Sequence, residues 1–129
     1  MVVDKQVSFE AAIPMLRVFD EQLARTFYVD YLGFSYDWEA RFDTSSPLYC
    51  QVSRGDLRIH LTAHYGDGTP GTHLFLPMEG LDAFRAELHA AGTSFSRPGV
   101  ETVPWGRVMT LIDPFANHLN FTEWRVPEG

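Results

Sequence analysis

Apolar and polar positions alternate along this chain with two periods, and the order of those periods occurs twice. The run AAIPMLRVFD ends at an acidic residue, after which Leu23, Phe27 and Tyr31 recur every four residues, as on one face of a helix. Asp20 carries a side chain suited to cap that helix, and Gly33, tolerant of a left-handed backbone, supplies its stop. FSYDWEARF, LYCQVS and LRIHLTA follow with strand character, the last two joined by a short turn at Arg54-Gly55-Asp56. The second half repeats the order. THLFLPM reads as a strand; Leu81, Phe84, Leu88 and Ala91 form a helical stripe that Gly92 ends; a weaker strand is expected around Ser94 to Ser96. RVMTLI and HLNFTE then pair across an Asp-Pro turn, and the Gly- and Pro-rich YGDGTPGT links the halves.

Each half is thus strand, helix, strand, strand, strand, over about 50 residues, too few to bury a large core alone. The expected fold class is α+β: two βαβββ modules, spanning about 12–64 and 72–124, within one domain of residues 1–129. Bringing the sheets together, with helices over the outer faces, would bury the apolar surface of both.

Strand parity sorts the side chains. Leu57, Ile59 and Leu61 form one apolar set, leaving Arg58, His60 and Thr62 on the other side. Leu119 and Phe121 leave His118, Asn120 and Thr122; Leu74, Leu76 and Met78 leave His73 and Phe75; Leu16 and Val18 leave Ile13, Met15 and Arg17. These second faces mix Arg, His, Asn and Thr with Phe, Met and Ile. A solvent face would carry more Lys and Glu, and a core fewer polar groups, so a cupped small-molecule pocket fits the mixture better than either.

Composition narrows the possible partners. Asp and Glu outnumber Lys and Arg by 17 to 10, a net charge of −7, which disfavours nucleic acid and anionic membranes; it is compatible with cationic small molecules, though such acidity more often just keeps a protein soluble. The single cysteine, Cys50, excludes an internal disulfide, and its apolar neighbours Leu48 and Val52 make it a core residue. The N-terminal MVVDKQVSFEAA lacks the basic start and apolar run of a signal peptide, and no apolar run reaches the ~20 residues of a membrane span. A soluble cytoplasmic protein is expected.

PMLRVFD, FYVDYLGF, GTHLFLPMEGLDAF and PWGRVMTLIDPFANHLNF together resemble the glyoxalase, bleomycin-resistance and dioxygenase superfamily, the vicinal oxygen chelate fold, from about Ile13 to Glu123. LGFSYDW, EGLDAF, PWGR and DPFANHLNF look most like segments of the bleomycin-resistance proteins. That resemblance implies a homodimer binding a bulky cationic glycopeptide non-covalently in clefts at the subunit interface, with Trp38, Phe75 and Trp105 among the cleft aromatics. The superfamily also contains metal-dependent lyases and dioxygenases. Mapped by motif, their ligand positions fall at Ile13, His60, His73 and Asn120. Ile13 cannot bind a metal, and an amide at Asn120 leaves the set without an anionic ligand.

The expected ligand-binding set is therefore Trp38, His60, His73, Phe75, Trp105 and Asn120, with no catalytic group, resident metal or cofactor. A metal-dependent enzyme using His60 and His73 is the alternative. Trp105 can pack the sandwich edge or wall a cleft, and Trp124 can cover a helix or a dimer contact. His60 and His64 share an H-x-x-x-H spacing, but it runs from a strand into a Gly-rich turn. Asp113 caps the Asp-Pro turn. The MVVDKQVSFE arm can join a partner's sheet or remain a free tail.

Overall fold

The computed structural model describes residues 6–43, 45–91, 95 and 98–125. The first module runs β1 (Met15–Arg17), α1 (Glu21–Arg25, continuing as a π-helix over Thr26–Tyr31), β2 (Ser35–Ala40), β3 (Tyr49–Arg54) and β4 (Leu57–Thr62). The second runs β5 (His73–Pro77), α2 (Leu81–Ala90), β6 (Glu101–Val103), β7 (Gly106–Ile112) and β8 (His118–Trp124). Each module forms one four-stranded sheet: β1-β4-β3-β2 in sheet A and β5-β8-β7-β6 in sheet B, with β1–β4 and β5–β8 parallel. The fold is α+β with two βαβββ modules, as expected.

Local chemistry explains the element ends. Asp20 accepts a hydrogen bond from the Leu23 N–H at 2.9 Å, the expected cap. Gly33 leaves the first helix at φ 75°, and an added Cβ would lie 3.1 Å from Arg54 Nη1, which donates to the Leu32 carbonyl. The π-helical turn brings Phe27, Tyr28 and Tyr31 all into the interior, whereas Leu23 stays partly exposed.

Three sequence expectations shift. The sixth strand among the described residues is Glu101–Val103, paired with Gly106–Val108, later in the chain than the strand expected around Ser94 to Ser96; Ser94 and Ser96 lie outside the described residues, and Phe95 packs edge-on against Phe27 at 5.1 Å. A three-residue edge strand, exposed at Glu101 and Thr102, has no hydrophobic alternation to betray it. Ala91 follows the end of α2 and is exposed, so only Leu81, Phe84 and Leu88 form the buried stripe, and Gly92 is outside the described residues. Finally, the helices do not lie over the outer faces of two apposed sheets but share one core with both. Leu16, Val52, Ile59 and Leu61 of sheet A and Leu76, Met109, Leu119 and Phe121 of sheet B join Tyr28, Phe27, Leu81 and Phe84 of the helices in one buried cluster. The apolar parity sets and the helices share this core, so the mixed faces point away from it.

Long-range polar contacts tie the modules together. Asp113 is 4% exposed and accepts from Tyr28 Oη at 2.5 Å, Asn117 Nδ2 at 2.9 Å, and the backbone amides of Phe115 and Asn117 at 2.8 Å. Asn117 Nδ2 also donates to the Arg17 carbonyl of β1 at 3.1 Å. Arg54 of the first module makes a two-pronged ion pair with Glu87 of the second, at 2.6 and 3.0 Å.

Candidate functional site

The mixed face of sheet A carries a chain of hydrogen bonds across three strands. Tyr49 Oη lies 2.6 Å from His60 Nδ1, His60 Nε2 lies 3.1 Å from Gln51 Oε1, and Gln51 Nε2 donates to Asp37 Oδ2 at 3.0 Å. The directions follow from the far end. An ionised Asp37 can only accept, so the Gln51 NH₂ faces it and the Gln51 oxygen faces His60. His60 therefore carries its proton on Nε2 and accepts the Tyr49 hydroxyl at Nδ1. The Gln51 bond, joined by one from Ser53, holds the Asp37 carboxyl below its usual range.

A bulge in β2 completes this group. Tyr36 pairs with Val52 and Trp38 with Gln51, so the register slips at Asp37. Strict alternation would place Tyr36 and Trp38 on one face. The slip leaves Tyr36 with the core-side Val52 and turns Trp38 onto the mixed face. There its ring is 5.2 Å from His60, edge-on, and 6.1 Å from Tyr49, stacked. Ile13 and Met15 add partly exposed apolar surface to the same face. Phe42, His64 and Asp67 line a depression of ≈ 410 Å³ beside Tyr49.

Sheet B carries the rest. His73 stacks on His118 with ring centroids 4.1 Å apart and planes 9° from parallel. Phe75 packs on Trp124 at 4.8 Å. Asn120, opposite Phe75, accepts from Thr110 Oγ1 at 2.7 Å and donates to the Leu74 carbonyl at 3.0 Å, bridging β5, β8 and β7. Trp105 sits in the two-residue turn between β6 and β7, its carbonyl accepting the Arg125 N–H at 2.7 Å.

The six sequence-predicted residues thus fall in two groups. Trp38 and His60 meet on sheet A, whereas His73, Phe75 and Asn120 share sheet B, with Trp105 at its corner. Among the described residues, no ring pair or hydrogen bond links the two groups. Trp38, Phe75 and Trp105 are 42%, 45% and 47% exposed, so within one chain they line open surfaces. Sequence reading missed Tyr49 and Gln51, and gave Trp124 only as cover for a helix or a dimer contact. Parity alone could have found Trp124, which alternates with His118, Asn120 and Thr122, and Tyr49 with Gln51, which flank the core residue Cys50.

The sequence profile described as "Glyoxalase superfamily protein" matches residues 2–128. The chain belongs to the glyoxalase superfamily. Among solved structures it is similar to a bleomycin-binding protein from Streptomyces verticillus complexed with copper(II)-bleomycin, 27% identical over 93% of this chain and 100% of that one, TM-score 0.69. A bleomycin-binding protein complexed with bleomycin is 25% identical, over 91% of this chain and 100% of that one, TM-score 0.67. A glyoxylase/bleomycin resistance protein/dioxygenase domain from Frankia sp. EAN1pec shares the fold at 24% identity, covering 95% and 96% of the two chains, TM-score 0.70. The comparison with curated proteins gives no match. No helix among the described residues is long and apolar enough to cross a membrane.

Superfamily enzymes use a divalent metal, and the donor set here does not fit one. Ile13 offers no donor. Both ring nitrogens of His60 are engaged, by Tyr49 and Gln51, and each end of the Asn120 amide already holds an internal bond. Imidazole lone pairs lie in the ring plane, so the parallel rings of His73 and His118 do not converge on one ion. Elemental analysis of the purified protein is expected to find no stoichiometric zinc, iron, nickel or manganese. One equivalent of metal, lost in the His60→Ala/His73→Ala variant, would put the enzyme alternative first instead.

Burial also shifts Cys50 and His60 of sheet A. Burial pushes the Cys50 thiol up, which keeps it protonated and unreactive. Burial lowers the His60 pKa below the ordinary imidazole value. The folded protein therefore favours neutral His60, and below the ordinary imidazole pKa the unfolded chain binds more protons than the folded one. The corresponding stability is intact above that pKa and declines as pH falls from there toward the lowered value. Between pH ~7.5 and ~5.5, wild type should lose more melting temperature than His60→Gln, which cannot titrate. Parallel pH profiles would show that His60 is not the titrating group.

Proposed function

We propose that the protein is a bleomycin-resistance-type binding protein. Two copies associate through their open sheet faces and hold a bulky cationic small molecule of the bleomycin family non-covalently between them, in the cytoplasm. The observation that carries this reading is the pair of outward mixed faces with half-exposed Trp38, Phe75, Trp105 and Trp124. Apolar surface of this kind, set among polar groups, marks an interaction site on a soluble protein. Trp38 would furnish aromatic surface on one side and Phe75 and Trp105 on the other, with His60, His73 and Asn120 as polar groups between them. Sequestration needs no bond-breaking group, and the hydrogen-bonded His60 and Asn120 act as a rigid polar floor.

The net charge of −7 favours approach of a cation, more at low than at high salt. It also disfavours nucleic acid as a competing partner. The same kind of ligand is named in the two bleomycin-binding relatives at 27% and 25% identity.

Calorimetric titration with metal-free and copper(II)-loaded bleomycin, beside light scattering, tests the reading. Saturable binding by a dimer is expected. Trp105→Ala should weaken it by about 2- to 30-fold, the equivalent of ~0.5–2 kcal/mol of lost cation–π attraction. Its melting temperature should hardly move, since Trp105 is nearly half exposed. Absence of binding by wild type would dismiss the antibiotic, a monomer at micromolar concentration would dismiss the shared cleft, and a collapsed melting temperature would make Trp105 a packing residue.

A further inference from the structure

A second cavity opens into the core between the two modules. Its volume is ≈ 480 Å³, within the range of small-molecule pockets. The β3–β4 hairpin forms one side through Arg54, Asp56 and Leu57, and the other side is the β5–α2 connection with the first turns of α2. Its floor is the core itself. Phe34, Leu76, Phe84 and Phe121 reach it, each more than nine-tenths buried. None of the mixed-face residues Trp38, His60, His73, Phe75, Trp105 and Asn120 lines it.

The mouth has a definite charge. Arg54 is committed: it pairs with Glu87, donates to the Leu32 carbonyl at 2.8 Å, and lies 5.1 Å over the Phe84 ring. That leaves Asp56 and Glu79, both exposed, on opposite sides of the opening. Among the described residues neither enters an ion pair. The cavity therefore joins an aromatic and aliphatic depth to a mouth with two uncompensated negative charges. Met78, on the wall, can adapt its shape to an occupant.

We infer that this inter-module cavity is a second binding site, for small amphiphilic ammonium compounds, with the apolar body among Phe34, Leu76, Phe84 and Phe121 and the ammonium between Asp56 and Glu79. The charge pattern selects the cation. An amphiphilic anion would meet two carboxylates, and a neutral molecule would gain nothing at the mouth. Because the cavity is lined by both modules, an occupant binds the folded chain only and raises its melting temperature.

The test is titration of the full-length protein with 2-phenylethylammonium and with neutral 2-phenylethanol, followed by methyl chemical shifts of Leu57 and Leu76. Saturable binding of the amine is expected, about three- to tenfold tighter than that of the alcohol at low salt. Asp56→Asn/Glu79→Gln should erase that difference. Ala83→Leu, on the exposed side of α2 where it lines the cavity, should abolish binding of both while the variant still melts cooperatively. Trp105→Ala should bind the amine as wild type does, which separates this site from the proposed antibiotic cleft. The inference is overturned by lack of saturation, by equal affinity for amine and alcohol, by binding that survives Ala83→Leu, or by shifts that follow Trp105.

Discussion

Asp113→Ala is expected to destabilise the protein by about 3–5 kcal/mol, because one carboxylate organises four donors in a dry place. Tyr28 Oη, Asn117 Nδ2 and two backbone amides all point at it, and it is 4% exposed. Removing it strands buried donors in both modules at once and loosens Asn117, whose amide also holds the Arg17 carbonyl. For a chain of this size the loss corresponds to a melting-temperature drop on the order of 10–20 °C. Tyr28→Phe removes one donor and leaves the carboxylate three others, so its cost should be smaller, about 1–2 kcal/mol. Denaturant unfolding of both variants measures this. A loss below ~1 kcal/mol for Asp113→Ala would mean that the inter-module tie is dispensable.

Gly106→Ala should be comparably severe, for a steric reason. A Cβ on Gly106 would lie 2.0 Å from the Glu123 carbonyl oxygen and 3.1 Å from the Arg125 nitrogen, at a φ of 150° that side chains rarely adopt. The obstacle is backbone of the paired strand β8, so no rotamer change relieves it. β7 and β8 must part at Gly106 and Trp124, breaking the bond from Arg125 to Trp105. About 3 kcal/mol or more of stability should go. Trp105 and Trp124 fluorescence should shift at the same time, since both sit at that corner. Gly99→Ala is the control: nothing lies within 4 Å of its added methyl, and the change should stay within ~0.5 kcal/mol. Equal melting of the two variants would refute the close-approach account. Gly106, next to Trp105, is there because backbone passes where a side chain would be.

How far the chain could be read in advance depended on how local the cause was. The Asp20 cap, the Gly33 stop and the turn at Gly55 are decided within a few residues, and all stand as the sequence indicated. Strand parity is equally local. It separated Ile59 and Leu61 from His60, and Leu119 and Phe121 from Asn120, and burial follows that separation. Family motifs spread over the chain pointed to the glyoxalase superfamily for the same reason: each is a short run whose order is preserved.

Tertiary structure decided the rest. Alternation cannot foresee the slip at Asp37, because a bulge depends on how β2 meets β3; yet that slip puts Trp38 beside His60 and Tyr49. The His60 tautomer depends on Asp37, Gln51 and Tyr49, which reach it only when three strands align. Within its own segment Asp113 is an ordinary turn residue; its wider role rests on Tyr28, 85 positions away, which donates to it. The parity sets likewise did not say which way the faces would turn. Burying the apolar sets together with both helices satisfies the hydrophobic effect for one chain. That same packing leaves the mixed faces outward, since they stand apart from this burial, and leaves the inter-module cavity open above the core residues Phe34, Leu76, Phe84 and Phe121.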